Sequence, residues 1–220
     1  MSDGGGLDVL HVDNHLLVVR KPAGVPTVPD SSGDESLLEQ AKGWVAREFD
    51  KPGNVFLGVV QRLDRPVSGV LVFARTSKAA DRLTRQLKHK SMTKRYLALA
   101  GPWSAEAEGE LEQWLEKDPV SNRVSVRGGE QPGAKLAVTR WRVLERGADR
   151  TLLELEPVTG RPHQLRVAAA SLGAPLLGDV KYGAREPLPD RSVALHAAVL
   201  ELDHPTRGER MRFEWAPPWR

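Results

Sequence analysis

The sequence predicts an α+β domain built on a large, mixed but mostly antiparallel sheet flanked by helices and loops. Two observations carry that class. Segments that read as strands recur along most of the chain, while only a few segments show helical periodicity. A third sets the scale: 220 residues, 40% of them hydrophobic, supply a core without staples, and no repeat or low-complexity block interrupts them. Residues 1–6 are expected to be a flexible start, because Gly4, Gly5 and Gly6 follow one another, and residues 7–220 a single domain.

The elements follow in order. Leu16-Leu17-Val18-Val19 reads as a short buried strand that ends at Lys21-Pro22-Ala23-Gly24. Pro26, Pro29, Ser31, Ser32 and Gly33 mark a loop, after which Ser36 introduces an amphipathic helix running to about Phe49. Residues 55–60 and 70–74 are β-rich, joined by the segment around Asp64. Thr76 or Ser77 caps a second helix, with Ala79, Ala80, Leu83 and Leu87 at helical spacing. In residues 94–99, Leu97 and Leu99 share one face, expected to be the core face, and Lys94, Tyr96 and Ala98 the other. Further strands are expected at 123–126, 137–144, 151–155, 194–202 and 211–215. Pro162 suits the first turn of a last helix, which Gly173 stops.

Several function classes drop out early. The chain has no cysteine, which removes disulfides and thiolate metal sites. The N-terminus has no basic and apolar leader, and no window approaches the roughly 18 apolar residues of a membrane span, so a cytoplasmic protein without membrane contact is expected. There is no dinucleotide fingerprint, P-loop or clustered metal-ligand motif, and no cofactor or metal is expected.

Charge points to a partner only through its distribution. Against 29 acidic residues stand 32 basic ones, a net charge of +3. Yet Arg82, Arg85, Lys88, Lys90, Lys94 and Arg95, with His89, form a run that holds no acid. Such a run suits a phosphate backbone, whose counterions each Lys or Arg releases. A solvated helix face has the same pattern, and both readings stand at this point.

Two residues invite chemistry. Asp64 is a lone carboxylate in Gln61-Arg62-Leu63-Asp64-Arg65-Pro66-Val67-Ser68-Gly69, a connection between β-rich runs, where a rigid scaffold can present a reactive side chain. Ordinary turn chemistry also puts aspartate there. Arg166 lies in the almost wholly apolar Leu165–172 stretch, where an unpaired guanidinium would be expensive, so a carboxylate or phosphate partner is expected, with Asp64 the candidate.

Taken together, four ordered segments resemble the RluA family of RNA pseudouridine synthases. Arg20-Lys21-Pro22-Ala23-Gly24-Val25 is similar to its K-P-x-G turn, and Arg62-Leu63-Asp64 with Ser68-Gly69 to its catalytic loop. Lys94-Arg95-Tyr96 is similar to its K-x-Y strand, and Thr159-Gly160-Arg161-Pro162-His163-Gln164-Leu165-Arg166-Val167 to its T-G-R-x-H-Q-[IL]-R-V segment. Gly178-Asp179, Tyr182-Gly183, Leu195-His196-Ala197 and His204-Pro205 continue the likeness. Gln61, Pro66, Val67, Pro162 and Ala168 depart from the pattern. The likeness begins near residue 7, so no separate RNA-binding domain is expected ahead of the catalytic domain.

What the resemblance implies is a pseudouridine synthase fold and an isomerase that turns uridine into pseudouridine in ribosomal or transfer RNA, acting as a monomer. The N1–C1' bond breaks, the base turns, and C5 joins the same carbon, so the reaction is redox neutral. Asp64 either attacks C1' or takes the C2' proton. Arg166 would hold it charged and in place, and Tyr96 would stack on the uracil and take the C5 proton. Arg62 would assist flipping of the base, with Leu165 as an apolar wall across from Tyr96. Arg82, Arg85, Lys88, Lys90 and Lys94 would grip RNA. His163, Gln164, His196 and His204 read as supporting structure.

Two rivals remain at this stage. A glycoside or nucleoside hydrolase would need a second carboxylate, for which Asp179 is the nearest candidate. An RNA-binding protein or chaperone with the same fold would need none of Asp64, Tyr96 and Arg166.

Overall fold

The structure, a computed structural model, describes residues 6–219. Of the flexible start expected at residues 1–6, all but Gly6 lies outside the described residues. In chain order the elements are β1 (Val9–Val12), β2 (Leu16–Lys21), α1 (Leu37–Glu48), β3 (Gly58–Val59), β4 (Ser68–Ala74) and α2 (Ser77–Lys88). There follow β5 (Thr93–Ala100), β6 (Glu108–Asp118), β7 (Arg123–Arg127), β8 (Lys135–Arg146), β9 (Thr151–Pro157), α3 (Gln164–Ser171), β10 (Leu195–Asp203) and β11 (Arg210–Glu214). The chain divides into two compact units, one made of the residues up to Thr93 with 197–218, the other of residues 94–196 with Trp219.

In the first unit the strand order is β1-β2-β4-β10, with β11 on β10 and β3 on β4. In the second it is β5-β9-β8-β6-β7. The registered pairs are antiparallel, as the expected α+β class requires. Each unit has its own apolar cluster. Leu16, Val18, Val70, Val72, Ala79, Leu83, Leu200 and Leu202 fill the first, and Leu115, Val124, Ala137, Val167 and Tyr182 the second. Leu16 to Val19 are all buried, so β2 is a continuous apolar run rather than an alternating one because both of its faces are covered.

The helix caps follow the sequence closely. Ser36 caps α1 in a capping box with Glu39, whose carboxylate accepts the Ser36 N–H at 2.8 Å. Thr76 caps α2, accepting the Ala79 N–H at 3.1 Å. Elsewhere the structure corrects the reading. The strand expected at 55–60 is only Gly58–Val59. Strand β6, at eleven residues among the longest, was not expected, because its glutamates hide the alternation of Leu111, Gln113 and Leu115. Helix α3 begins at Gln164, two residues later than Pro162 suggested, since His163 takes the left-handed conformation at φ 53° and serves as N-cap. On β5 the alternation holds but the fully buried residues are Ala98 and Ala100, not the leucines, which are half-buried. Methyl side chains let a neighbouring layer approach closely, so residue size misidentified the inner face.

Gly69 connects the Asp64 segment to β4 and shows why no other residue serves there. Its φ is +140°, and a Cβ would lie 2.4–2.6 Å from the backbone N and Cα and the Cβ of Ala197. Gly69→Ala is expected to cost roughly 2–4 kcal/mol through combined backbone strain and overpacking. Denaturant unfolding measures this, and wild-type stability would show that β10 yields without penalty.

Candidate active site

Asp64 is half-buried in a loop whose backbone is tied down along its length. The Val67 N–H donates to the Asp64 carbonyl at 3.0 Å, closing the turn. Leu63, just before it, is bracketed by Thr27, whose hydroxyl donates to the Leu63 carbonyl at 2.8 Å and accepts the Leu63 N–H at 3.2 Å. The Gly24 N–H donates to the Arg65 carbonyl at 2.8 Å, and Arg65 Nε returns a bond to the Gly24 carbonyl at 2.9 Å. The Arg65 guanidinium also pairs with Asp34. Below the loop, Lys21 Nζ donates to the carbonyls of Pro22, Asp64, Arg65 and Val67 at 3.0, 3.3, 3.3 and 2.7 Å. The K-P-x-G turn is therefore a cradle for the aspartate loop.

Arg62, next but one to Asp64, is exposed. Arg85 and Lys88 on α2 and Lys90 just past its end are exposed, whereas Arg82 is half-buried and spends one N–H on the Pro205 carbonyl at 2.5 Å. Lys94 stands apart from these: it belongs to β5 and is half-buried, and burial lowers its pKa against the opposing pull of Glu156. A run contiguous in sequence is thus split, because α2 ends at Lys88 and Lys90 turns the chain with φ 57°.

In the second unit, α3 carries Leu165 and Arg166, both buried, and β5 carries Tyr96, half-buried. The start of α3 is locked to β8 by Gln164, whose amide donates to the Val138 carbonyl at 2.9 Å and Thr139 Oγ1 at 3.0 Å. Its carbonyl oxygen accepts the Thr159 hydroxyl at 2.7 Å and the Arg161 N–H at 3.0 Å. Arg166, 5% exposed, meets Asp179, 1% exposed, in a bidentate pair: Nε to Oδ2 and Nη2 to Oδ1, each 2.7 Å. This is a partner the sequence reading did not propose, since it named Asp64 for that role. The Arg166 guanidinium carbon lies 5.1 Å from the centre of the Tyr182 ring, and the Tyr182 hydroxyl hydrogen-bonds His163 Nδ1 at 2.6 Å and accepts the Val124 N–H at 2.9 Å.

Three of these supporting residues were legible only in part. Lysine two residues after the buried aliphatic run of residues 16–19 was a signal for Lys21, and Gly178-Asp179 within the family likeness was one for Asp179. Gln164 reads as supporting structure in the sequence, and its bonds to β8 specify what it supports, the start of α3. His196 and His204, read as structural, are both buried. Among the described residues no His, Asp and Glu cluster has metal-binding geometry, and no helix is long and apolar enough to cross a membrane.

Antiparallel sheets with few helices, an aspartate loop cradled by a K-P-x-G turn, and an arginine fixed by a buried carboxylate define a pseudouridine synthase fold. The chain belongs to the RNA pseudouridylate synthase family, whose model matches residues 15–171. It is 37% identical over 94% of its length to the RNA pseudouridine synthase YlyB of Bacillus subtilis (strain 168), covering 68% of that protein. It is 36% identical, again over 94% of its length, to the ribosomal large subunit pseudouridine synthase C of Escherichia coli (strain K12), covering 65% of it. The chain thus spans about two thirds of the length of these relatives. Among solved structures, human RNA pseudouridylate synthase domain containing 1 superposes with a TM-score of 0.77 at 28% identity, covering 100% of this chain and 88% of that one. Human RNA pseudouridylate synthase domain containing 4 shares the fold at a TM-score of 0.79 and 23% identity, covering 96% of this chain and 89% of that one.

Proposed function

We propose that the chain isomerises specific uridines in large-subunit ribosomal RNA, acting in the cytoplasm as a monomer with residues 7–220 as one catalytic domain. The observation that carries this reading is the Asp64 loop, whose backbone is stitched to residues 21–27 by reciprocal hydrogen bonds, within a chain similar to a ribosomal large subunit pseudouridine synthase. A loop so constrained gives a carboxylate the precision that attack at C1', or removal of the C2' proton, demands.

The remaining roles follow the reaction. Tyr96 stacks on the uracil and accepts the C5 proton after the new bond forms. Arg166, oriented by Asp179, is the cation that keeps the reacting carboxylate charged. Leu165 walls the base, and Arg62 helps hold the site open once the uridine leaves its stack. Arg85, Lys88 and Lys90 meet the phosphate backbone, with Arg82 and Lys94 as flanking cations.

The test is a pseudouridine map by carbodiimide labelling in cells lacking the protein, rescued by wild type or by Asp64→Asn. Loss of defined ribosomal sites, restored by wild type alone, is the expected result. Sites lost from transfer RNA instead would move the substrate class, and an unchanged map would favour a binding protein with this fold. The basic face gives a separate prediction. Replacing Arg85, Lys88 and Lys90 together by Ala should lower the slope of log affinity against log salt by about 2, at roughly 0.7–0.9 per contact, without changing the melting temperature. Equal slopes for parent and variant would remove α2 from the RNA interface.

A further inference from the structure

Arg161 lies in the turn that leads from β9 into α3, and the chain holds it at three points. Its backbone N–H donates to the side-chain oxygen of Gln164 at 3.0 Å, and its carbonyl accepts the Gln164 N–H at 3.3 Å. Its Nε donates to the Leu136 carbonyl on β8 at 2.8 Å. Gln164 is bonded to β8 as well, so the turn and the arginine side chain share one support. A half-buried guanidinium is thereby fixed through Nε, while among the described residues neither Nη1 nor Nη2 has a hydrogen bond or an ion pair.

Carboxylates fix Arg65, Arg127 and Arg166 instead, and each of those pairs cancels charge. A carbonyl takes one of the five guanidinium donors and cancels none, so Arg161 keeps its full charge and four N–H groups. The edge formed by its two Nη groups matches two oxygens of a phosphate. A second cation stands close to the same turn. The Arg123 guanidinium carbon lies 5.6 Å from the centre of the Tyr182 ring, whose hydroxyl is bonded to His163, two residues after Arg161. Asp118, opposite Arg123 in the register of β6 and β7, turns its oxygens to the Val120 N–H at 2.8 Å and the Ser121 hydroxyl at 2.6 Å. The charge of Arg123 is therefore left uncancelled by its strand partner.

We propose that Arg161 is a phosphate-binding residue of the RNA interface: the bond through Nε aims its Nη edge at one backbone phosphate close to the uridine being isomerised. This rests on the reading of the chain as an RNA isomerase, and it gives the second unit a grip of its own in addition to the basic face of α2. The phosphate is close to the target because only a turn and the first residues of α3 separate Arg161 from Arg166.

The experiment starts from RNA of cells lacking the protein, ethylated at random phosphates with ethylnitrosourea. Ribosomal and transfer RNA are bound separately, and the positions depleted from the bound fraction are read. Arg161→Met, neutral and unbranched, should lose the depletion that wild type shows at one or two adjacent phosphates and keep the rest. Its affinity should fall about 10-fold, the scale of a charge-assisted hydrogen-bonded pair. The slope of log affinity against log salt should fall by roughly 0.7–0.9, in addition to the change made by the α2 substitutions. Below saturation, the single-turnover rate read by release of tritium from uridine C5 should fall by the same factor as the affinity. An unchanged set of depleted phosphates would overturn the proposal, since a base contact or a merely structural arginine leaves that set intact. If the phosphate lost is on transfer RNA, the ribosomal reading fails and the assignment of Arg161 stands.

A second arm needs no variant. Phenylglyoxal condenses with the Nη edge of a guanidinium, so in the free wild-type protein it should modify Arg161 and spare Arg166, whose Nη2 is held by buried Asp179. RNA at about ten times Kd should slow the reaction at Arg161 by about 10-fold, as mass action requires. Equal rates with and without RNA, read by peptide mass spectrometry, would also overturn the proposal.

Discussion

Asp64→Asn is expected to abolish pseudouridine formation while leaving the fold and RNA affinity intact. The amide has nearly the shape of the carboxylate but is neither a nucleophile at C1' nor a base for the C2' proton, so both routes close together. The backbone bonds that hold the loop come from main-chain groups of residues 63–67, and the substitution removes none of them. A loss of at least about 10³-fold in single-turnover rate, with affinity for RNA within about 3-fold, is the expected pair of results. A variant retaining more than about a tenth of the rate would place the chemistry elsewhere. Asp179 would then be no substitute as the carboxylate of a hydrolase, since both of its oxygens are taken by Arg166 in a buried pair.

The second large effect concerns that pair. Removing one partner strands the other charge in a dry environment, so Asp179→Ala is expected to cost about 3–5 kcal/mol. For a chain of this size, that corresponds to a fall in melting temperature of roughly 10 °C. Replacing both residues by leucine should restore much of the stability, because an apolar pair of similar volume carries no desolvation cost. The double variant should nevertheless be inactive, having lost the guanidinium. Calorimetry on the two single variants and the double, beside the tritium assay, separates the structural contribution of the pair from its chemical one. A double variant with wild-type activity would reduce Arg166 to a structural residue.

The arrangement around Arg166 also explains a choice of residue types. Arg166 projects from a helix whose other buried residues are Gln164, Leu165, Val167, Ala168 and Ala169, and its planar fork matches a carboxylate in two parallel bonds. Lysine would make one such contact and leave an oxygen of Asp179 unsatisfied. Tyr182 packs beside the pair and is itself held through its hydroxyl by Val124 and His163. His163 pays for its left-handed backbone by starting α3 at the residue that lets Gln164 reach β8.

Much of the fold was readable from local pattern. Ser36 and Thr76 cap the helices they were expected to cap, since capping is decided within four residues. Strands β4, β8, β9 and β10 fall where runs with recurrent apolar residues lie, because such side chains favour a pleated, covered surface. The inner face of β5 and the existence of β6 were not readable. There, burial is set by which layer packs against the strand, and neither alanine nor glutamate announces it.

The sequence by itself determined the family, through ordered motifs, and with it the aspartate, tyrosine and arginine expected to do the chemistry. It also determined the helix boundaries within a few residues. Only the tertiary structure decided what holds those groups. Lys21 is tied to carbonyls more than forty positions away, and a carbonyl has no signature in the sequence because every residue carries one. Arg166 required a carboxylate, which its apolar neighbours made plain, but several aspartates met that requirement. The bidentate contact with Asp179 depends on how α3 and the turn after it are brought together, and that is a property of packing rather than of spacing.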